Sequence, residues 1–93
     1  MEEISRARVI VKGRVQGVFF RAETKRMADS MGISGWVRNA RDGTVEAVFE
    51  GNRSSVLSAV EWCEQGPPHA SVSSVDVNWG EPVGEKGFQV RYS

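Results

Sequence analysis

The residues best placed to do chemistry in this 93-residue chain are Arg21, the run Gln16-Gly17-Val18-Phe19-Phe20 that leads into it, and Asn39. From Val11 to Arg21 the sequence reads as an alternating strand that passes through a glycine-bearing loop into the start of a helix. Such a loop aims backbone N–H groups at one point, and the unpaired donors and positive dipole end of the following helix add to the field there. Arg21 falls in the first helical turn, where a cation opposes the macrodipole by roughly 0.3–1 kcal/mol. Stability alone does not select a cation at that place, and a bound anion removes the conflict. The segment therefore predicts an anion cradle that a phosphate fits.

The residue types refine that expectation. An arginine fork holds two oxygens of a terminal phosphate, and the amides of Gln16, Gly17, Val18, Phe19 and Phe20 can take the rest without a metal. Asn39 offers a neutral amide that both donates and accepts, so it can orient a water for in-line attack without competing as a nucleophile. The chain shows no paired His ligands, no cysteine cluster, no Gly-rich loop followed by Lys-Ser or Lys-Thr, and no serine in a nucleophile elbow. A site with neither a strong base nor a metal needs an easy substrate. Mixed carboxylic–phosphoric anhydrides qualify, because the carboxylate leaves unprotonated and the water's proton can pass to the phosphate, so that positioning and charge stabilisation suffice.

Several elements must hold these groups. Ala7, Val9 and Val11 alternate with Arg8 and Lys12 around Ile10, which predicts a first strand with one buried face. Phe20, Thr24, Met27, Ala28 and Met31 fall at helical spacing, and Gly32 ends the pattern. Gly35 to Asn39 and Thr44 to Glu50 read as two strands of a hairpin joined at Arg41-Asp42-Gly43. After Gly51 and Asn52, Val56, Leu57, Val60 and Cys63 line one side of a second helix, which Gly66-Pro67-Pro68 closes. Val75, Val77 and Trp79 alternate in a further strand, as do Phe88, Val90 and Tyr92 in a short last one. The order β-α-β-β-α-β plus a short terminal strand predicts an α+β, ferredoxin-like split β-α-β sandwich, its mostly antiparallel sheet covered on one face by two helices. In that topology the first and second strands are parallel with the third between them. The loop after Gly13 and the end of the second strand, at Asn39, then share one sheet edge about 10 Å apart, so that Arg21 and Asn39 can converge.

Composition sets the outer limits. Ninety-three residues predict one domain across positions 1–93. Twelve basic and twelve acidic side chains cancel, which leaves no broad positive field for nucleic acid or an anionic membrane. The single cysteine, Cys63, forms no internal disulfide, and Met1-Glu2-Glu3-Ile4 does not resemble a signal sequence, so the cytoplasm is expected. No apolar run approaches the roughly 20 residues that span a bilayer, so a soluble protein is expected. The element count of the fold leads to the expectation of a free-standing protein, and a monomer is expected. Lys12, Arg14 and Arg38 read as solvated charges, His69 as a loop residue without ligand partners, and Cys63, Met27, Met31, Trp62 and Trp79 as packing residues. Trp36 opposes Val37 in strand parity and belongs to whichever face the helices leave uncovered. The third strand lacks the basic, aromatic platform by which ferredoxin-like folds read single-stranded RNA. Taken singly, Arg21 also fits a solvated helix residue and Asn39 a turn former.

Two signatures bear on that choice. The run Val11 to Arg21, with its Gly-x-Val-Gln-Gly-Val-x-Phe-Arg core, and the run Gly35-Trp36-Val37-Arg38-Asn39, followed by Gly43, Val45 and Gly51, resemble those of the acylphosphatase family, as does the ending Gly87 to Tyr92. The resemblance spans nearly the whole chain and implies a small α/β sandwich that hydrolyses acyl phosphates to a carboxylate and inorganic phosphate. It implies that Arg21 binds the phosphoryl group with the loop from Gln16 to Phe20, that Asn39 positions the attacking water, and that no cofactor or metal takes part. Inorganic phosphate, as product, is then expected to compete with the small-molecule acyl phosphate. A non-catalytic acyl-phosphate or phosphate sensor is the alternative, since the same cradle would bind without turnover if the water were misplaced. The loop from Gly80 to Gly87 is a candidate for shaping substrate choice.

Overall fold

The computed structural model describes residues 3–92. The chain runs through β1 (Ile4–Arg14), α1 (Phe20–Ser30), β2 (Ser34–Asn39), β3 (Val45–Asn52), α2 (Arg53–Gln65), β4 (Ser71–Gly80) and β5 (Phe88–Arg91). One five-stranded sheet has the order β4-β1-β3-β2-β5, antiparallel except where β5 lies parallel to β2. Both β1 and β2 are antiparallel to β3, which places them parallel to each other with β3 between, as the split β-α-β reading expects.

The strand alternation directs packing. Ala7, Val9 and Val11 of β1, Val37 of β2, and Val45, Ala47 and Phe49 of β3 are fully buried on one face, against Phe20, Met27 and Ala28 of α1 and Val56, Ala59 and Cys63 of α2. Phe20 meets Trp62 edge-on at 5.6 Å between ring centres, which ties the start of α1 to α2, while Phe49 stacks on Phe88 at 5.7 Å. Leu57 does not join this face: it is 40% exposed, and Ala59 packs inward instead. The buried positions 56, 59 and 63 follow the helical repeat, and Leu57 lies about 100° round the axis from Val56. Met31 likewise falls outside the core, 38% exposed at the C-terminal end of α1. Buried Cys63, by contrast, packs as expected; desolvation pushes its thiol up to about 12, which leaves it inert as a nucleophile.

The opposite face of the sheet carries no helix, yet Glu46 and Glu50 of β3 are almost wholly buried on it. Arg8 and Arg38 flank Glu46, each donating to one of its oxygens. Glu50 accepts from Arg6 and from the backbone N–H groups of Val83, Gly84 and Glu85 at 2.8, 3.1 and 3.0 Å. Burial alone would raise both carboxyls, but these donors outweigh it and hold them below their ordinary range. Arg38 is thus half-buried in an ion pair rather than simply solvated, and Lys12 pairs with Asp76. Trp36, opposite Val48 in the β2–β3 ladder, lies on this uncovered face beneath the Arg91 guanidinium, 4.6 Å from its ring centre.

Glu50 therefore fastens the segment between β4 and β5. Gly80 lies opposite Arg6 and Phe88 opposite Gly35, so this segment crosses the end of the sheet where β1 and β2 begin. Arg14 and Asn39 lie at the other end. The Gly80–Gly87 loop consequently does not border the cradle, and the expectation that it shapes substrate choice is corrected.

Candidate active site

A cleft of about 300 Å³ opens where β1 and β2 end, walled by Val15, Gly17, Phe19, Phe20, Arg21, Ala22, Asn39, Val90 and Tyr92. Its floor is set by the backbone between β1 and α1. Gly17 (φ 72°) and Phe19 (φ 62°, ψ 20°) are both left-handed, with Val18 between them at negative φ. Left-handed residues in such a loop can turn successive N–H groups toward a common concavity, as in an anion nest. Phe19 O receives the first helical bond from Glu23 N at 3.0 Å, and no side chain caps α1. Among the described residues, no protein group accepts from the backbone N–H groups of Gln16 through Ala22. A row of donors at the positive end of a helix is thereby left for a ligand.

Arg21 leans over this floor, half-buried, with its guanidinium 4.8 Å from the centre of the Tyr92 ring. Among the described residues no carboxylate pairs with it, whereas Arg6, Arg8 and Arg38 are each tied to a glutamate. An aromatic face holds its charge in place and no described carboxylate compensates it, which suits a guanidinium that meets an anion.

Asn39 enters from the end of β2, one residue past the Arg38↔Arg91 pair, and Tyr92, the residue after β5, lines the same cleft. The turn that follows is tightly made. Ala40 N donates to Thr44 O at 2.8 Å, and Gly43 N to Ala40 O at 3.2 Å. Asp42 Oδ1 accepts from Thr44 Oγ1 at 2.7 Å and from Thr44 N at 3.0 Å, and these two bonds draw its carboxyl below the usual range. Gln16 joins this turn to the cradle: its Nε2 donates to Ala40 O at 2.8 Å and to Thr44 O at 2.9 Å.

The structure brings Gly17, Phe19, Phe20, Arg21 and Asn39 around one cleft, as the shared sheet edge implied. Gln16 and Val18 do not wall it. Val18 is buried in the core, and the Gln16 side chain is spent on the hairpin, so each can offer a ligand only its backbone N–H. Tyr92 also walls the cleft, which the sequence pattern does not foretell. Its alternation with Phe88 and Val90 reads as a core position, yet it is 83% exposed over Arg21. Only the placement of β5 beside β2, which the sequence pattern does not specify, carries it there.

Relatives share both the sequence and this architecture. The sequence profile of the acylphosphatases matches residues 7–90. The chain belongs to the acylphosphatase family. It is 55% identical to an acylphosphatase of a Roseiflexus species over 91 residues, 97% of this chain and 98% of the relative. The structure of an acylphosphatase from Coxiella burnetii superposes with a TM-score of 0.91 at 39% identity, covering 95% of this chain and 93% of that one. The acylphosphatase from Bacillus subtilis also gives 0.91, at 36% identity, with 97% of this chain and all 100% of the other covered. Membership makes the protein a hydrolase of acyl phosphates, with a small-molecule acyl phosphate as substrate and a ferredoxin-like fold. No described helix is long and apolar enough to cross a membrane.

Proposed function

We propose that this acylphosphatase works by clamping the phosphoryl group and orienting one water, without a metal or cofactor. Arg21 and the N–H groups from Gln16 to Phe20 receive the phosphoryl oxygens, and Asn39 holds the water. The observation that carries the reading is the convergence on one cleft of Asn39, an Arg21 that no described carboxylate pairs, and a row of N–H donors that no described group uses. The water oxygen bonds to phosphorus as the P–O bond to the acyl group breaks, and the carboxylate departs with the electron pair. The water's proton passes to a phosphoryl oxygen, so the protein need supply no base. Fixed positive charge aimed at the phosphoryl oxygens stabilises charge that a loose transition state spreads over them.

The same proposal has inorganic phosphate compete for the cradle, and has the enzyme act as a cytoplasmic monomer of one domain.

Phosphate release from benzoyl phosphate, with excess chelator, tests this directly. Turnover is expected to survive chelation. Asn39→Ala is expected to cut kcat far more than it weakens competitive inhibition by inorganic phosphate, because the contact to water gains importance toward the transition state. Equal losses in both would assign Asn39 to binding, and binding of phosphate without turnover by the wild type would make the protein a sensor.

A further inference from the structure

We infer that Gln16 is a positioning residue for Asn39, acting across the cleft through the backbone of the β2–β3 turn and not through its side chain on the phosphate. The inference rests on the proposed role of Asn39. Both hydrogens of the Gln16 amide are committed, one to Ala40 O at 2.8 Å and one to Thr44 O at 2.9 Å. Two carbonyl acceptors fix which end of the amide faces the turn, since only the NH₂ end can donate to both. Ala40 follows Asn39 directly, and Thr44 O also accepts from Ala40 N, so Gln16 grips the two chain positions that close the hairpin at Asn39. The bridge joins residues 24 and 28 apart in sequence.

The need for such a brace follows from the sheet order. β1, which leads to the cradle, and β2, which ends at Asn39, are not neighbours; β3 separates them. The β1–β3 ladder is paired only as far as Val11↔Val45, and Asn39 pairs with that same Val45. Beyond Val45 no backbone ladder ties the cradle to the turn, and Gln16 supplies that tie. A water that must lie in line with a phosphorus held by Arg21 depends on this spacing, and a misplacement of about 1 Å costs on the order of a hundredfold in rate.

The chemistry of the bridge dictates the variants. Gln16→Met keeps the length and removes both donors. Gln16→Glu presents a carboxylate to two carbonyl oxygens, so it should be worse than Met. Neither change touches the backbone N–H groups or Arg21. In steady-state assays with benzoyl phosphate, Gln16→Met is expected to lower kcat by about ten- to a hundredfold while the inhibition constant of inorganic phosphate stays within about threefold of wild type. In an Asn39→Ala background the same change is expected to have little further effect on kcat, because the group it positions is gone. Urea melts of each variant confirm that the folded enzyme is assayed, and Gln16→Asn, which is too short to reach both carbonyls, provides an independent second truncation.

A Gln16→Met enzyme with kcat within about twofold of wild type overturns the inference, as does a parallel loss of phosphate affinity, which would place the Gln16 side chain itself in the cradle. Multiplicative losses in the double variant also overturn it, by showing a role independent of Asn39. Full activity of Asn39→Ala alone overturns the Asn39 assignment itself, an outcome distinct from the others.

Discussion

The guanidinium of Arg21 lies 4.8 Å from the centre of the Tyr92 ring, so the one described arginine that walls the cleft is steadied by a π-face instead of a carboxylate. The choice of partner has consequences. A carboxylate would neutralise the cation and compete with an incoming phosphoryl group, whereas an aromatic face orients the guanidinium and leaves its charge and its N–H donors for the ligand. Replacing Tyr92 with Leu is expected to weaken competitive inhibition by inorganic phosphate about two- to fivefold, the scale of an exposed cation–π contact, with Tyr92→Phe near wild type. Equal effects of Leu and Phe in that inhibition assay would show that the hydroxyl, and not the ring face, is what matters.

Arg21 itself should separate function from stability. Arg21→Ala is expected to lower turnover by about a hundred- to a thousandfold, the usual cost of removing one preorganised oxyanion donor. Its folding stability should barely change, because relief of the macrodipole conflict, roughly 0.3–1 kcal/mol, offsets a lost cation–π contact of similar size. Urea denaturation of wild type and variant, read alongside phosphate release, decides the matter; a midpoint that collapses in the variant would make Arg21 a structural residue.

Phe19 carries the opposite signature, strain without burial. It is left-handed and 75% exposed, so its side chain gains little from packing while its backbone bears a cost of roughly 1–2 kcal/mol. Strained conformations of this kind gather where a loop is shaped for a ligand. Phe19→Gly is expected to stabilise the fold by up to about 1 kcal/mol, the relief being partly offset by the greater freedom of glycine in the unfolded chain. A rise in the urea midpoint at unchanged slope would show it. A fall would mean that the exposed ring makes a contact worth more than the strain.

How much of this could be read from the residues depends on the range of the signal. The split β-α-β topology and the meeting of Arg21 with Asn39 were legible because periodicity and helix-end chemistry are local, and the handedness of connections does the rest. Tyr92 was not legible, because its alternation is that of a buried strand position while its true setting depends on which edge β5 joins. The Gln16 side chain was hidden for a related reason: its partners are carbonyls of a turn 24 and 28 residues away in sequence. Glu46 and Glu50 alternate with Val45, Ala47 and Phe49, which puts them on the face away from the helices. What parity cannot show is that three arginines and a crossing loop cover that face.

Glu50 supplies the last prediction, one that should move stability and leave catalysis alone. Its carboxylate is titrated below its ordinary range in the folded state because, against burial, the Val83 N–H, Arg6 and the N–H groups of Glu85 and Gly84 favour the charged form. A depressed folded-state value contributes stability above the unfolded carboxyl's pKa of 4.5, and that contribution is lost as pH falls through the lower folded value. Stability should therefore be level from neutrality down to the ordinary carboxylate range and decline below it, with Glu46 adding to the same acid limb because Arg8 and Arg38 depress it in the same sense. Glu50→Gln removes the charge, leaves Arg6 with only Glu85, and offers one acceptor oxygen to N–H groups that now share two. A loss of about 3 kcal/mol at neutral pH is expected, as for other broken buried pairs, together with a shallower acid limb. Since the loop that Glu50 fastens crosses the sheet at the end remote from Arg21 and Asn39, kcat for acyl phosphate should match wild type wherever the variant is folded. Chemical denaturation across the acid range, paired with kinetics at neutral pH, tests both halves; an acid limb as steep as that of wild type would place the titration elsewhere, and a fallen kcat would show that the loop's fastening reaches the cleft through β5.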